Sequence, residues 1–338
     1  MHFRGMRICF ILTKGMRCQK ENLIFWRYFI MAMWVLKGLA LAGIVLTLIL
    51  LILKTKELKS STEKDAITGM TGEELWAFGK KHWIVTAIIG FVANFLDTLG
   101  IGSFAPSSAA FKMTKSVDDS LVPGTLNVGD TIPVCVEAFL FFGIVDMDIL
   151  TLILMLVAAV LGSLVSASIV TKFDRKKVRY TLFVGLFLLA TVILLKVFNV
   201  PPFGTVGTAL GLRGIKLVIA VVGNFILGAL MSIGVGLYAP CMAMVLALGM
   251  NSTCAFPAMM GSCAFLMAFG NGPKFIKEAK IDIVATWTQA IFGSIGVFVA
   301  YYLVKELPLD VLTKVIVVVV YLTAFLYLKD AIKKGSAA

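Results

Sequence analysis

Along this chain the apolar positions come in long runs rather than in stripes. Trp34–Leu53, Ile132–Val145, Ile149–Val170, Tyr180–Phe198, Ile215–Leu248, Ile283–Val304 and Val311–Leu328 are each nearly free of charge. A helix needs roughly 18 or more apolar residues to cross the hydrocarbon of a bilayer. Inside hydrocarbon every backbone N–H and C=O must find a partner within the protein, so runs of this length predict helices. The expected fold class is an all-α integral membrane protein.

The polar stretches between the runs add the organisation. After the first run, Lys54–His82 mixes acids and lysines, and Thr71-Gly-Glu-Glu74 has the form of a helix start ahead of Trp83. The rest of the chain carries an internal repeat. Gly100-Ile-Gly-Ser-Phe-Ala-Pro106 matches Gly234-Val-Gly-Leu-Tyr-Ala-Pro240 at an offset of 134 residues. The same offset pairs Pro123 with Pro257, Asp148-Ile149 with Asp282-Ile283, and Gly162 with Gly296. One-residue slippage then brings Lys172 onto Lys305 and Lys196 onto Lys329.

Each repeat opens with an apolar segment interrupted by glycine and proline, about 83–113 and 217–249. At 1.5 Å per residue, roughly 31–33 residues are too many for one crossing and too few for two. A re-entrant hairpin, or one crossing plus a half-helix, fits that length. Three further spans follow in each repeat. The expected division is a basic extension 1–32, a first transmembrane helix 33–53, a cytoplasmic linker 54–82, repeat 1 over 83–198, an inter-repeat loop 199–216, repeat 2 over 217–330, and a basic tail 331–338.

Charge sets the orientation. With Lys54–His82 inside and each interrupted segment returning to its own side, Lys172–Arg179, Lys274–Lys280 and Lys329–Lys334 all fall inside, as cationic loops do. Asp146–Asp148 and the sparsely charged Asn199–Arg213 fall outside. An odd number of spans per repeat inverts one repeat against the other, an arrangement common in carriers that bind solute at the midplane. The extension 1–32 holds Arg4, Arg7, Lys14, Arg17, Lys20 and Arg27 against one acid, Glu21. It would lie outside, against the charge rule, so translation starting at Met31 or Met33 is expected.

Composition narrows the function. Of 338 residues 59% are apolar and 15% charged, against about 25% charged in a soluble domain. A formal charge of +12 would suit nucleic acid, but the basic residues sit in short loops between spans, so the partner they imply is the bilayer of a plasma membrane. Six cysteines show no metal-like or CxxC spacing and serve as small apolar residues. With two histidines and no HExxH, Walker A or Gly-x-Ser-x-Gly motif, neither an enzyme nor a cofactor is expected.

Candidate chemistry gathers at the interruptions. Gly100, Gly102, Gly234 and Gly236 permit left-handed backbone, while Pro106 and Pro240 remove donors, so neither segment is expected to be a continuous helix. A half-helix starting there turns N–H groups and a positive dipole end toward an anion. The next helix starts, at Pro123 and Pro257, bring Thr125, Asn127 and Ser262 as neutral hydrogen-bonding groups. Asn94, Ser103, Asn224 and Ser232 complete the candidate solute-binding set. Ordinary packing and capping remain open for all of these.

The duplicated Gly-x-Gly…Pro segment, the Pro-Gly-Thr and Pro-x-x-x-Gly helix starts and the basic Lys172–Arg179 loop resemble the sulfite exporter TauE/SafE family over roughly residues 85–330. That resemblance implies a permease for sulfite, a sulfonate or a related small anion. Three acids then stand out: Asp97, Asp130 and Glu137 interrupt apolar surroundings where a carboxylate costs roughly 2.5–3.5 kcal/mol to insert. Such residues mark ion or proton paths, and Asp97 and Asp130 are the candidates for coupling proton to solute. An anion channel, a non-transporting scaffold and a homo-oligomer all fit the same hydropathy.

Overall fold

The computed structural model describes residues 16–62, 64, 68–143, 147–200, 207–303 and 309–332, and every regular element among them is helical. The expectations placed on Arg4, Arg7 and Lys14, on Asp146, on Lys305 and on the tail beyond Ile332 lie outside the described residues.

The first helix, α1, runs Met16–Lys59, 44 residues. It overruns the expected bounds at both ends because this stretch holds no proline to stop it. The helix start read at Thr71 is a capping box: Thr71 accepts from the Glu74 N–H at 3.2 Å, and the Glu74 carboxylate accepts from the Thr71 N–H at 2.8 Å. No separate amphipathic helix follows; α2 continues unbroken from Gly72 to Thr98.

Both interruptions occur, and they are built alike. After Leu96 the N–H groups of Leu99, Gly100 and Ile101 turn back to the carbonyls of Leu96, Asp97 and Leu96. After Leu230 those of Ile233, Gly234 and Val235 turn back to Leu230, Met231 and Leu230. Gly100 (φ +85°) and Gly234 (φ +97°) occupy the left-handed position that ends a helix, where any Cβ is penalised. So α2 ends, and a half-helix α3 begins at Phe104 and runs to Thr114.

The remaining elements follow in chain order. They are α4 Val122–Gly129, α5 Thr131–Phe141, α6 Ile149–Val170, α7 Arg175–Val197, α8 Gly214–Met231 and α9 Tyr238–Ala247. Then come α10 Ala255–Phe265, a π-turn Leu266–Asn271, α11 Gly272–Lys277, α12 Ile283–Leu303 and α13 Leu309–Ile332. The second half-helix, α9, comes back to where α8 began, with the Lys216 ammonium donating to the Leu248 carbonyl at 3.1 Å. In the first unit Met70 and Phe78 share a surface basin with Lys112 and Lys115 at the end of α3. Each interrupted segment thus doubles back toward the end of the bundle at which it began.

One expected span is corrected. Ile132–Val145 is not a crossing helix; α5 is 11 residues long and joins the 8-residue α4 at a kink on Asp130. Pro133 cannot donate to the Gly129 carbonyl and its ring crowds that group, which bends the helix there. Hydropathy alone does not separate one long helix from two short ones. Among the described residues, five helical stretches have the length and apolarity to cross a bilayer: Ile30–Lys59, Ile149–Val170, Lys176–Leu195, Gly214–Met231 and Ile283–Tyr302.

Packing pairs the units crosswise. Helix α6 lies on α8 and α12 lies on α2, each through a glycine. A Cβ on Gly162 would stand 1.9 Å from the Phe225 carbonyl oxygen, and one on Gly296 2.3 Å from that of Phe91. Both contacts obey the 134-residue offset. Small residues are what let helix backbones approach in lipid, where the hydrophobic effect gives no drive. Helix α5 runs antiparallel to α10, since Cys135 meets Ala264 while Phe142 meets Gly261.

The ends of the bundle differ in charge chemistry. At one end Asp119 receives Lys112 and Arg179, each at 2.7 Å, and Lys112 also reaches Asp330 at 2.7 Å. The Lys172–Arg179 loop and the end of α13 therefore share a side. At the other end Asp148 caps α6 through the Thr151 N–H at 2.8 Å and pairs with Arg213 at 2.8 Å. Hydrogen bonds from that guanidinium, more than those from Thr151, hold the Asp148 carboxyl down to about 2.

Candidate carboxyl site between the broken segments

The two interruptions face each other. The Cβ of Tyr238, first residue of α9, lies 3.6 Å from where a Cβ on Gly102 would be. The Cβ of Phe104, first residue of α3, lies 3.4 Å from the equivalent point on Gly236. Residues 104 and 238 are repeat equivalents, so each half-helix start rests on the other unit's Gly-x-Gly turn. Pro106 and Pro240 stand third in their half-helices, where a missing N–H leaves no intrahelical bond unmade.

A small cavity lies at this crossing. Its wall includes Asp97, Gly102, Ser103 and Phe104 from one broken segment and Met231, Gly236, Leu237 and Tyr238 from the other. Val134 and Cys263 close it. The volume is about 10 Å³, which is about the room one water needs. Any larger cargo requires the two segments to part.

Around the cavity a connected polar network holds the three acids, all fully or almost fully buried. Asp97 accepts from the Ser103 hydroxyl at 3.2 Å, so this carboxyl lies beside the start of α3. Asn94 donates to Asp130 at 3.1 Å. Glu137 accepts from Thr98 at 2.8 Å and, across the two units, from the Tyr238 hydroxyl at 2.6 Å. Among the described residues no Lys, Arg or His pairs with any of the three. Three buried carboxyls with no base beside them are costly to keep as carboxylates.

The other candidate residues are placed elsewhere. Asn127 donates to the carbonyls of Pro123 at 2.8 Å and Met231 at 2.9 Å, and accepts from Asn271 at 2.6 Å. Asn271 also donates to Ser232 at 3.0 Å. This group ties α4 to the π-turn and to the end of α8. Asn224 donates to the Met155 carbonyl at 2.7 Å and to Ser262 at 2.8 Å, fastening α8 to α6 and α10. Thr125 accepts from the Asp282 N–H at 2.9 Å. Pro123 and Pro257 stand in the first turns of α4 and α10, with Pro123 against Gly234. None of these side chains opens on the cavity; Asp97, Gly102, Ser103 and Gly236 do.

One residue of the network, Tyr238, was absent from the sequence reading, and the partner of another, Glu137, was not foreseen. Tyr238 is the counterpart of Phe104, and the single added hydroxyl that makes it a hydrogen-bond donor was visible in the repeat alignment. Glu137 was visible as a buried acid, but its bond to Tyr238 joins residues 101 positions apart and leaves no local signature. The acids are one-sided: the counterparts of Asp97, Asp130 and Glu137 are Met231, Ala264 and Asn271. Comparisons of the chain with protein-family models, with curated proteins and with solved structures return no match, so the likeness to sulfite exporter permeases rests on the residues quoted above alone.

Proposed function

We propose that this chain is a secondary carrier of the plasma membrane that moves a small anion together with protons. Alternating access would take place between two units of inverted topology. The single observation that carries the reading is a set of three buried acids at the meeting of the two broken segments, with Asp97 in the cavity wall and Glu137 held by Tyr238 of that wall. The segments α4–α5 and α10–α11, which occupy equivalent places in the repeat, run antiparallel, with Asn127 on Asn271, Cys135 on Ala264 and Phe142 on Gly261, and this supports the inversion. So does the crosswise pairing of α2 with α12 and α8 with α6.

The electrostatics dictate how an anion could use such a site. Half-helix starts and the Ser103, Thr98 and Tyr238 hydroxyls supply donors, but ionised Asp97 and Glu137 would repel an anion in a medium of low dielectric. Protonation removes that repulsion, so cargo and proton are expected to load together. Parting of α3 from α9 on one side or the other would then expose the loaded site. A small cation is the second reading, favoured by the same absence of any base beside the acids.

Counterflow in proteoliposomes tests the carrier reading, with sulfite, thiosulfate, alkyl sulfonates and small carboxylates as the panel suggested by the resemblance. A carrier exchanges labelled for unlabelled solute with saturation. A flux that rises linearly with concentration indicates a channel, and folded protein that moves none of the panel removes the anion proposal.

A further inference from the structure

The buried acids need a way to exchange protons with water, because the cavity beside them has room for about one molecule. We propose that one face of α3, marked by Ser103, Ser107 and Ser108, is a water-filled proton path. It joins the carboxyl cluster to the basin formed by Lys112, Lys115, Asp118, Asp119, Arg179 and Asp330. The path's purpose rests on the carrier reading above; its existence does not.

Ser107 and Ser108 carry the argument. Both are fully buried, and neither hydroxyl has a hydrogen-bond partner among the described residues. A serine or threonine inside a helix ordinarily returns its hydroxyl to a carbonyl one turn back, as Thr114 does to Ala110 at 2.7 Å in this same helix. Ser107 and Ser108 do not, and a buried hydroxyl left over in this way is where internal water is held.

Their spacing connects the two ends. Ser107 stands one turn beyond Ser103, whose hydroxyl already touches Asp97. Lys112 stands one turn beyond Ser108. Four residues rise about 6 Å along the axis, the span of two hydrogen bonds through a single water. Tyr327 walls the far end, its hydroxyl donating to the Ser108 carbonyl at 3.4 Å and its ring lying 4.6 Å under the Lys112 ammonium. Beyond it the basin, about 250 Å³, is open to solvent and balances three cations with three carboxylates.

The other unit has no such face. The equivalents of Ser107, Ser108 and Lys112 in α9 are Cys241, Met242 and Leu246. Protons would thus enter from the Lys112 side only. Each hydroxyl takes a proton from the water before it and releases its own to the water after it. Asp97 ends the relay as a neutral acid, and the basin water that began it is left as hydroxide, to be neutralised by bulk buffer.

Thiol accessibility tests the path without any assay of transport. In sealed vesicles of protein with Cys9 and Cys18 replaced by serine, Ser107→Cys and Ser108→Cys are labelled with a small membrane-impermeant methanethiosulfonate ammonium. Native Cys241 and the Met242→Cys variant are the position-matched controls. The expected result is labelling at 107 and 108 at least tenfold faster than at 241 and 242, from the Lys112 side alone. Equal rates at all four positions overturn the proposal. Should a cysteine variant not fold, the rate of proton uptake in Ser107→Ala/Ser108→Ala decides: a fall of about tenfold with unchanged solute affinity upholds the path, and an unchanged rate rejects it. Labelling without any solute flux would leave the path standing and remove the carrier. Proton-linked flux without labelling would do the reverse.

Discussion

Gly162→Ala and Gly296→Ala are each expected to lower the melting temperature and the yield of folded protein sharply. A methyl group at residue 162 would sit 1.9 Å from the Phe225 carbonyl oxygen and 3.1 Å from the Ala229 nitrogen. At residue 296 it would sit 2.3 Å from the Phe91 oxygen and 3.2 Å from the Phe95 nitrogen. These obstacles are backbone, so no rotamer relieves them; the helix pair must move apart. Forcing extra volume into a packed interface costs about 1–3 kcal/mol and sometimes more, and here α6–α8 and α2–α12 are the main joints between the units. Against a total stability of roughly 5–15 kcal/mol, a loss near 3 kcal/mol or above depletes the folded fraction after detergent extraction. Gly38→Ala is the control, since nothing lies within 4 Å of that position. Fluorescence-detected size exclusion and a melting curve measure all three. A monodisperse wild-type-like peak for both core variants would mean that the helices do not meet as described.

Asp97→Asn is expected to uncouple the carrier while leaving it folded. An amide fits the volume of the carboxyl, and its oxygen still accepts from the Ser103 hydroxyl, so the start of α3 keeps that contact. What the amide cannot do is take up a proton. Coupling free energies between sites run about 1–3 kcal/mol, or about 5–150-fold, and solute uptake driven by a proton gradient should fall within that range. The residual flux should lose its dependence on pH, while counterflow, which needs no net proton movement, should survive. Asp148→Asn is the matched control: its carboxyl pairs with Arg213 at the far end of the bundle and takes no part in the cluster. An Asp97→Asn protein whose uptake follows pH as the wild type does would take Asp97 out of the mechanism.

Much of the fold was written in local sequence, because membrane helices and their breaks depend on composition over a turn or two. Gly100, Gly234, Pro106 and Pro240 announced both interruptions, and the chain indeed reverses there. Kinks are less legible: the apolar run around Ile132–Val145 looked continuous, and only Pro133 against the Gly129 carbonyl explains why α4 and α5 divide. The length of α1 was hidden for the opposite reason, since hydropathy sees the part of a helix inside lipid and not its polar extension.

The site was legible by residue type more than by role. Buried polar side chains were expected near the breaks and are there, yet Thr125, Asn127, Asn224, Ser232 and Ser262 spend their hydrogen bonds on joining helices. Whether a buried amide holds a neighbour or a cargo depends on which face of the helix it occupies, and an all-apolar helix has no stripe to reveal its face. The place of Lys112 between Asp119 and Asp330, and over Tyr327, follows only from where the chain after α3 and α13 come to rest.

The central claim is that cargo and proton share the space between the broken segments. Internal pH, followed with a trapped dye while each member of the solute panel is added outside proteoliposomes, measures this directly. A transported anion should acidify the lumen in saturable fashion, in wild-type protein and not in Asp97→Asn. Saturable solute entry with no change in internal pH would contradict it.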